Sequence, residues 1–133
     1  MSPPRRTVSD VPDARSILGA RGERAALDLY RRRGFALVAR NWRCSLGEID
    51  LVLRRRDQLV FCEVKTRRGS AHGDGFEAVD ARKRRKLRAL AEVFLLTHGG
   101  GSLSVRFDVA SVAVRPDPSG GATERVDLFE DAF

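Results

Sequence analysis

Two segments of the chain place apolar residues at the three- and four-residue spacing of an amphipathic α-helix. The first covers residues 13–33, ends before Gly34, and carries the stripe Leu18, Ala25, Ala26, Leu29 and Tyr30. The second covers residues 77–98 and carries the stripe Leu87, Leu90, Ala91 and Phe94. Gly19 and Gly22 weaken the first half of the first helix, so its strongest part begins near Arg21.

Alternation of apolar and polar residues predicts β-strands in the rest of the chain. These strands are expected at residues 35–41, 48–53, 59–65, 103–114 and 124–128. A loop of four or five residues joins the second and third strands into an antiparallel hairpin, and the fourth could contain a bulge. In the second strand, Ile49, Leu51 and Leu53 are expected to share one face. Residues 66–76 contain three glycines and are expected to form a mobile loop. The predicted fold is α/β, a mixed β-sheet flanked by helices in the order α-β-β-β-α-β-β.

The size and composition of the chain indicate a single globular domain. Of its 133 residues, 42% are hydrophobic and 32% are charged. Residues 1–12 are rich in Pro, Ser and Arg and are predicted to form a disordered tail, which leaves residues 13–133 as the domain. The longest apolar run, residues 35–39, is far shorter than the roughly 20 residues of a membrane span, and no apolar stretch follows the N-terminal charges. We therefore expect a cytoplasmic protein without a membrane partner, in which Cys44 and Cys62 are reduced thiols.

The chain is strongly basic, with a formal net charge of +7. Residues 1–98 hold 22 basic and 12 acidic residues, whereas residues 99–133 hold 3 basic and 6 acidic ones. Basic clusters stand at residues 31–33, 54–56 and 82–86. This distribution favours a polyanionic partner on one part of the surface, and nucleic acid is the first candidate. An arginine-rich chain can also reflect the base composition of its genome, and 22 of the 25 basic residues are Arg.

Charged residues stand in two of the predicted strands, at positions where a buried strand would be apolar. Glu63 and Lys65 are two positions apart and therefore share one face of the third strand. Asp50 lies in the preceding strand, and pairing of the two strands would bring it near Glu63. Two neighbouring carboxylates repel each other unless a cation lies between them, and oxygen ligands favour a hard ion such as Mg²⁺ or Mn²⁺.

A lysine beside such an ion could orient or deprotonate the metal-bound water, or stabilise negative charge at phosphorus. Lys65 has this position. An acid, an acid-x-lysine pair and a divalent cation together can carry out phosphodiester hydrolysis. Glu23, on the first helix, could reach the same site as a metal ligand or as a base for the water. Thr66 and Arg67, just after the third strand, could bind a phosphate.

The same acids and the same lysine have ordinary structural interpretations. Glu63 and Lys65 could form a solvated salt bridge, and Glu23 could be a surface residue of its helix. Glu48 could be a further acid of the site or a charge of the hairpin, and we favour the hairpin charge. Asp108 alternates with apolar residues in its strand and could face solvent.

Several blocks of the sequence, over about residues 18–114 and at the last two residues, resemble the bacterial YraN family of small proteins. These blocks are Gly22-Glu23-Arg24-Ala25-Ala26, Gly34-Phe35, Ala39-Arg40-Asn41-Trp42-Arg43, Gly47-Glu48-Ile49-Asp50-Leu51, Phe61-Cys62-Glu63-Val64-Lys65-Thr66-Arg67, Ala78-Val79-Asp80 with Lys83, Arg106-Phe107-Asp108-Val109 and Ala132-Phe133. Two of these blocks, GEIDL at residues 47–51 and EVKTR at residues 63–67, are specific at this spacing. The family is similar to archaeal Holliday-junction resolvases and is identified as a member of the PD-(D/E)xK nuclease superfamily.

The resemblance implies a restriction-endonuclease-like fold, in which a mixed sheet lies between helices. It maps the acids of the nuclease site to Asp50, Glu63 and Glu23, and the catalytic lysine to Lys65. It also implies that the three acids bind Mg²⁺ (or Mn²⁺) and that the protein cuts DNA phosphodiesters. The resolvase relatives act as homodimers on branched DNA, so the resemblance implies a homodimer, although no apolar patch in the sequence identifies an interface.

Three functions are compatible with these sequence features. The first is a metal-dependent DNA endonuclease that acts on branched or damaged DNA. The second is a non-catalytic module that binds DNA or RNA through its basic residues. The third is a scaffold for protein interactions that holds no metal. For the first two, nucleic-acid contacts are expected at Thr66, Arg67, Lys83, Arg84, Arg85 and Lys86.

Overall fold

The structure is a computed structural model that describes residues 13–69, 80–99 and 103–133. Within these residues the elements are α1 (Ala14–Arg32), β1 (Ala36–Cys44), β2 (Gly47–Arg55), β3 (Gln58–Arg68), α2 (Ala81–His98), β4 (Ser104–Pro116) and β5 (Ala122–Phe129). Their order confirms the predicted α-β-β-β-α-β-β arrangement. The predicted tail, residues 1–12, and all but the first four residues of the predicted loop at 66–76 lie outside the described residues.

The five strands form one mixed sheet in the order β1-β2-β3-β4-β5. Only β3 and β4 pair in parallel, without interruption from Gln58↔Ser104 to Arg68↔Val114, and the other neighbouring strands are antiparallel. A parallel pair needs a crossover connection, and α2 lies in that connection. Both ladders of β4 are continuous, so the strand reaches Val114 and beyond without the bulge that the sequence left open.

Helices cover both faces of the sheet, and each builds its own hydrophobic core. On one face, α1 packs Ala26, Leu27 and Tyr30 against a set of sheet residues that includes Leu51, Leu53, Val60, Cys62 and Ala110. On the other face, α2 packs Leu87, Leu90, Ala91 and Phe94 against a set that includes Ile49, Val52, Leu59, Phe61 and Val109. The stripe predicted for α2 is confirmed, because all four of its residues are buried. In α1 the prediction was right in part: Ala26 and Tyr30 are buried, but the other three stripe residues are half-buried and the buried Leu27 was not in the stripe. Neither helix is long and apolar enough to cross a membrane.

The expectation that Ile49 shares a face with Leu51 and Leu53 was wrong. Ile49 packs in the core under α2, whereas the other two pack under α1. The reason lies in the β2–β3 ladder, which begins at the pair Leu51↔Cys62. Ile49 lies beyond that pair, where β2 is paired with β1, at Trp42, but no longer with β3.

Several boundaries differ from the sequence-based prediction. The β2–β3 hairpin has a two-residue loop, Arg56 and Asp57, because Arg55 already pairs with Gln58. Arg56 has a positive φ of 54°, a conformation that such tight connections require. At the other end, β3 continues to Arg68, since its parallel ladder with β4 carries it into the segment predicted as a loop.

The second helix, α2, begins at Ala81, and the predicted start at residue 77 lies outside the described residues. Asp80 is its N-cap, and its Oδ1 accepts a hydrogen bond of 2.9 Å from the backbone N–H of Lys83. In α1, Asp13 has the same role and accepts from the backbone N–H of Ser16 at 2.8 Å. An N-cap compensates part of the helix weakness caused by glycines, so α1 starts at Ala14 despite them.

Asp108 in β4 is fully buried, which corrects the expectation that it could face solvent. Its carboxylate accepts hydrogen bonds from the hydroxyl of Tyr30 at 2.6 Å, from Nε and Nη2 of Arg106 at 2.9 Å each, and from the backbone N–H of Asp131 at 2.9 Å. Alternation with apolar residues suggested a solvent-facing side, but α1 covers that face of the sheet. Burial and the neighbouring Cys62 and Asp108 raise the pKa of Tyr30, so its hydroxyl stays a donor.

Replacing Asp108 removes the two hydrogen bonds that the Arg106 guanidinium donates to its carboxylate. The Arg106 side chain is only 12% exposed, and among the described residues Glu130, at 3.9 Å, is then its remaining acidic contact. We therefore expect Asp108→Ala to lower the free energy of unfolding by about 3–5 kcal/mol. Asp28→Ala, at an exposed position of α1, is the control and should change it by less than about 0.5 kcal/mol. Urea titration measures both values, and equal small losses in the two variants would contradict the role of the buried pair.

Candidate active site

The β2–β3 ladder opens at the point where Asp50 and Glu63 stand. The last regular pair is Leu51↔Cys62. Beyond it, the Asp50 carboxylate accepts a hydrogen bond of 2.8 Å from the backbone N–H of Val64. A side chain here takes the place of a backbone acceptor, which fixes the Asp50 carboxylate beside Glu63. The two acids are therefore neighbours, as the hairpin predicted.

A close approach of α1 to β3 positions Glu23. The side chain of Thr66 lies against Gly22, and a Cβ atom at Gly22 would stand 1.8 Å from the Thr66 Oγ1. Glu23, the next residue, accepts hydrogen bonds from Nδ2 of Asn41 at 3.2 Å and from Nε of Arg40 at 3.4 Å. Its side chain is 14% exposed, so it lies against the sheet instead of projecting from the helix surface.

Three carboxylates meet at this place. One oxygen each of Glu23, Glu48 and Asp50 lies within 4.8 Å of the others. Glu48 also accepts a hydrogen bond of 2.9 Å from Nε of Arg43, its partner in the β1–β2 ladder. The sequence interpretation favoured a hairpin charge for Glu48, whereas the structure brings its carboxylate together with the two candidate acids. The signal that could have identified it was its spacing of two residues from Asp50.

Glu63 lies beside this group and contacts two lysines. Its side chain is 9% exposed, and its Oε1 is 2.6 Å from Nζ of Lys83 and 3.6 Å from Nζ of Lys65. Lys65 lies on the same face of β3, as the two-residue spacing predicted. Lys83 comes from the first turn of α2 and was expected to contact nucleic acid. Its contact with Glu63 is a tertiary one that the local sequence pattern does not contain.

Crowding of charge shifts the pKa values at this site. Burial, together with the charges of Glu63 and Glu23, raises the pKa of Asp50 to about 7, although the hydrogen bond from Val64 opposes the shift. The hydrogen bond with Lys83, burial and the charge of Lys83 lower the pKa of Lys65. Burial opposes the charge on Lys83, but its hydrogen bonds to Glu63 and Lys65 outweigh burial and raise its pKa.

The remaining residues expected to contact nucleic acid differ in their surroundings. Thr66 packs on Gly22, and Arg67 lies at the exposed end of β3. In α2, Arg84 lies 5.9 Å from the ring centroid of Phe133, whereas Arg85 and Lys86 are exposed. Beside these, a cleft of about 570 Å³ between α1 and the end of β3 is lined by residues that include Arg15, Glu23, Thr66 and Arg68. This cleft connects basic side chains to one acid of the cluster.

The contact of Gly22 with Thr66 leads to a prediction for matched glycines. Gly22→Ala should lower the free energy of unfolding by about 1–3 kcal/mol, because α1 must move away from β3. Gly19→Ala, one turn earlier with nothing within 4 Å, should raise it by up to about 1 kcal/mol. Thr66→Ala, which removes the nearest atom, should recover part of the loss in a Gly22→Ala background. Chemical denaturation tests this series, and equal effects at the two glycines would contradict the close approach.

The raised pKa of Asp50 predicts how stability depends on pH in the absence of metal. The pKa of Asp50 is about 7 in the folded protein, against 3.8 for an ordinary aspartate as in the unfolded chain. Between these two pH values, the folded protein therefore keeps a proton that the unfolded chain has released. Stability should therefore fall as pH rises from about 4 to about 7 and remain low above that. Asp50→Asn removes this cost and should be more stable than wild type by on the order of 2 kcal/mol near pH 8, with the gain lost near pH 4.

Urea titrations in EDTA at several pH values measure this difference. Asp28→Asn, on the exposed surface of α1, is the control and should follow the wild-type pH dependence. A gain from Asp50→Asn that stays the same at all pH values would show that proton release from Asp50 is not its cause.

Comparisons with known proteins place the chain in one family. The family model described as "Uncharacterised protein family UPF0102" matches residues 22–112, which include every residue of the acid cluster. Among curated relatives, a UPF0102 protein of Nocardia farcinica is 45% identical over 77% of this chain and 80% of its own length. A UPF0102 protein of Frankia alni is 48% identical over 77% of this chain and 86% of its own length. One of Pelotomaculum thermopropionicum is 40% identical over 91% of this chain and 98% of its own length. The chain belongs to the UPF0102 family.

Proposed function

We propose that this protein is a metal-dependent endonuclease of the restriction-endonuclease-like, PD-(D/E)xK class that hydrolyses DNA phosphodiester bonds, on branched or damaged DNA. The observation that carries the proposal is the meeting of the Glu23, Glu48 and Asp50 carboxylates within 4.8 Å of one another, beside Glu63 and Lys65. Elements far apart in the chain supply these groups. Charged residues that only cover the surface do not need to come together from distant elements in this way.

The donor set fits a divalent cation. All the donors are carboxylate oxygens, which Mg²⁺ and Mn²⁺ prefer. Burial, together with the charges of Glu63 and Glu23, raises the pKa of Asp50, so keeping this acid ionised has a cost that a bound cation would relieve. Asp50, Glu23 and Glu63 would hold the cation, with Glu48 as a fourth carboxylate. When bound, the cation would lower the pKa of a water molecule and neutralise charge at phosphorus.

Lys65 is the residue of this chain best suited to act on the water or on the phosphate. It lies two residues from Glu63 on the same face of β3, and its ammonium group is 3.6 Å from the Glu63 carboxylate. Its lowered pKa makes its proton easier to release than that of an exposed lysine. The ammonium form orients water by donation and stabilises charge at phosphorus, and the neutral form accepts a proton.

The charge around the site favours a nucleic-acid substrate. The cleft between α1 and β3 leads from Arg15 and Arg68 to Glu23 and would accommodate a phosphodiester strand next to the acids. Thr66 and Arg67 extend β3 beyond Lys65 and are candidates for phosphate contacts. A two-fold symmetric substrate such as a four-way junction would suit a homodimer of this chain.

A second candidate is a non-catalytic module that binds DNA or RNA. The observation that favours it is the exposed basic surface of α2, formed by Arg82, Arg85 and Lys86. This surface would bind phosphates whether or not the acids hold a cation. The two candidates differ in turnover, so one experiment separates them.

The test is cleavage of labelled single-stranded, duplex, flap and four-way-junction DNA with Mg²⁺, Mn²⁺ or EDTA. Wild type should cut at least one substrate only when metal is present. Asp50→Asn and Lys65→Ala should cut it at least about 100-fold more slowly, because each removes a group that acts on the reacting atoms. Both variants should still bind the same DNA, and Asp28→Asn, prepared in parallel, should cut like wild type.

Equal cutting by wild type and Lys65→Ala would point to a contaminating nuclease and contradict the site. DNA binding without cutting by any preparation would favour the second candidate.

A further inference from the structure

The contact between Lys83 and Glu63 lies inside the candidate site. The Glu63 Oε1 is 2.6 Å from Nζ of Lys83, and this is a shorter contact than the 3.6 Å to Nζ of Lys65. Glu63 is nearly buried, so its charge needs a partner within the protein. Lys83 is the nearest cation to it among the described residues.

The position of Lys83 is built into α2. Asp80 caps the helix by accepting the backbone N–H of Lys83, which places this residue in the first turn. The side chain then extends from the helix to β3, where the ammonium group meets Glu63. The neighbouring basic residue Lys86 lies one turn later against Gly47 of β2 and makes no ion pair with Glu63.

The ammonium group 2.6 Å from the Glu63 Oε1 would be a close neighbour of a divalent cation bound to the same carboxylate. Ions of like charge that share an oxygen repel each other strongly in a partly buried site. We propose that Lys83 is the resident counter-ion of Glu63 and that a divalent cation must displace it to use this carboxylate. The inference rests on the proposed function, because it concerns the same metal site.

Displacement gives Lys83 two alternative partners. Without metal, its ammonium group neutralises Glu63. With metal, the ammonium group is released at the start of α2, beside the exposed Arg82 and Arg85, where a phosphate group would be its next partner. Metal and nucleic acid would thus favour each other's binding, since the phosphate compensates the lysine that the metal displaces.

Calorimetric titration of the full chain with Mn²⁺ tests the competition. Lys83→Met removes the competing charge and should bind Mn²⁺ about tenfold more tightly than wild type. Lys83→Arg keeps a positive charge and should bind at the wild-type level or more weakly. Lys86→Met removes a nearby charge that does not contact Glu63 and should stay within about twofold of wild type. Asp50→Asn should bind Mn²⁺ weakly or not at all.

A second measurement uses wild type alone and does not depend on the folding of any variant. The chain has three lysines, Lys65, Lys83 and Lys86, so ¹⁵N-lysine labelling gives a simple ammonium NMR spectrum. The Lys83 ammonium signal should change its chemical shift and exchange faster with water as Mg²⁺ is added, whereas that of Lys86 should not.

These results separate the inference from the proposed function. Wild type that binds Mn²⁺, with Lys83→Met binding equally or more weakly, would overturn the counter-ion role and leave the metal site intact. An equal gain in Lys83→Met and Lys86→Met would also overturn it, since general charge would then be the cause. Absence of Mn²⁺ binding in wild type and in Lys83→Met alike would overturn the metal site itself, and the inference with it.

Discussion

The parallel pairing of β3 with β4 is the constraint on which the rest of the structure depends. It runs along all 11 residues of β3, from Gln58 to Arg68. A parallel pair requires a crossover, and this places α2 over the sheet with Lys83 in its first turn. The same strand carries Glu63 and Lys65 on one face and Thr66 on the other, against α1. The position of β3 therefore determines the positions of the groups in the candidate site.

The buried carboxylate of Asp108 and the half-buried carboxylate of Asp50 have opposite surroundings. Asp108 is fully buried, but Arg106, Tyr30 and a backbone N–H satisfy its oxygens, so it stabilises the junction of α1 with β4. Asp50 has one backbone donor, and burial together with the neighbouring acids raises its pKa. The carboxylate of Asp108 is fully hydrogen-bonded and has no oxygen left for a ligand. Asp50 has fewer hydrogen bonds, which costs stability but leaves its carboxylate able to bind a ligand. This contrast is why we place the chemistry at Asp50.

The local sequence pattern was sufficient to predict the helices and strands and part of the candidate site. Periodicity identified both helices, the whole buried stripe of α2 and part of that of α1, and the two-residue spacing of Glu63 and Lys65 placed them on one face. It could not show what covers a strand, so the burial of Asp108 was missed. Contacts between distant elements, such as Lys83 with Glu63, have no local signal at all. Sequence reasoning named Glu23 as a possible member of the site, but the helix pattern alone could not distinguish it from a surface residue, and the resemblance favoured the site.

Chain order has a consequence for how the protein is made. The acids and lysines of the candidate site all come before residue 84, whereas β4 and β5 follow it. A ribosome therefore completes all the acids and lysines of the candidate site before it makes the strand that pairs along β3. Until β4 emerges, β3 lacks its parallel neighbour and the acids lack a rigid support. The candidate site therefore reaches its final arrangement only after the last third of the chain, which carries more acidic than basic residues, has been made.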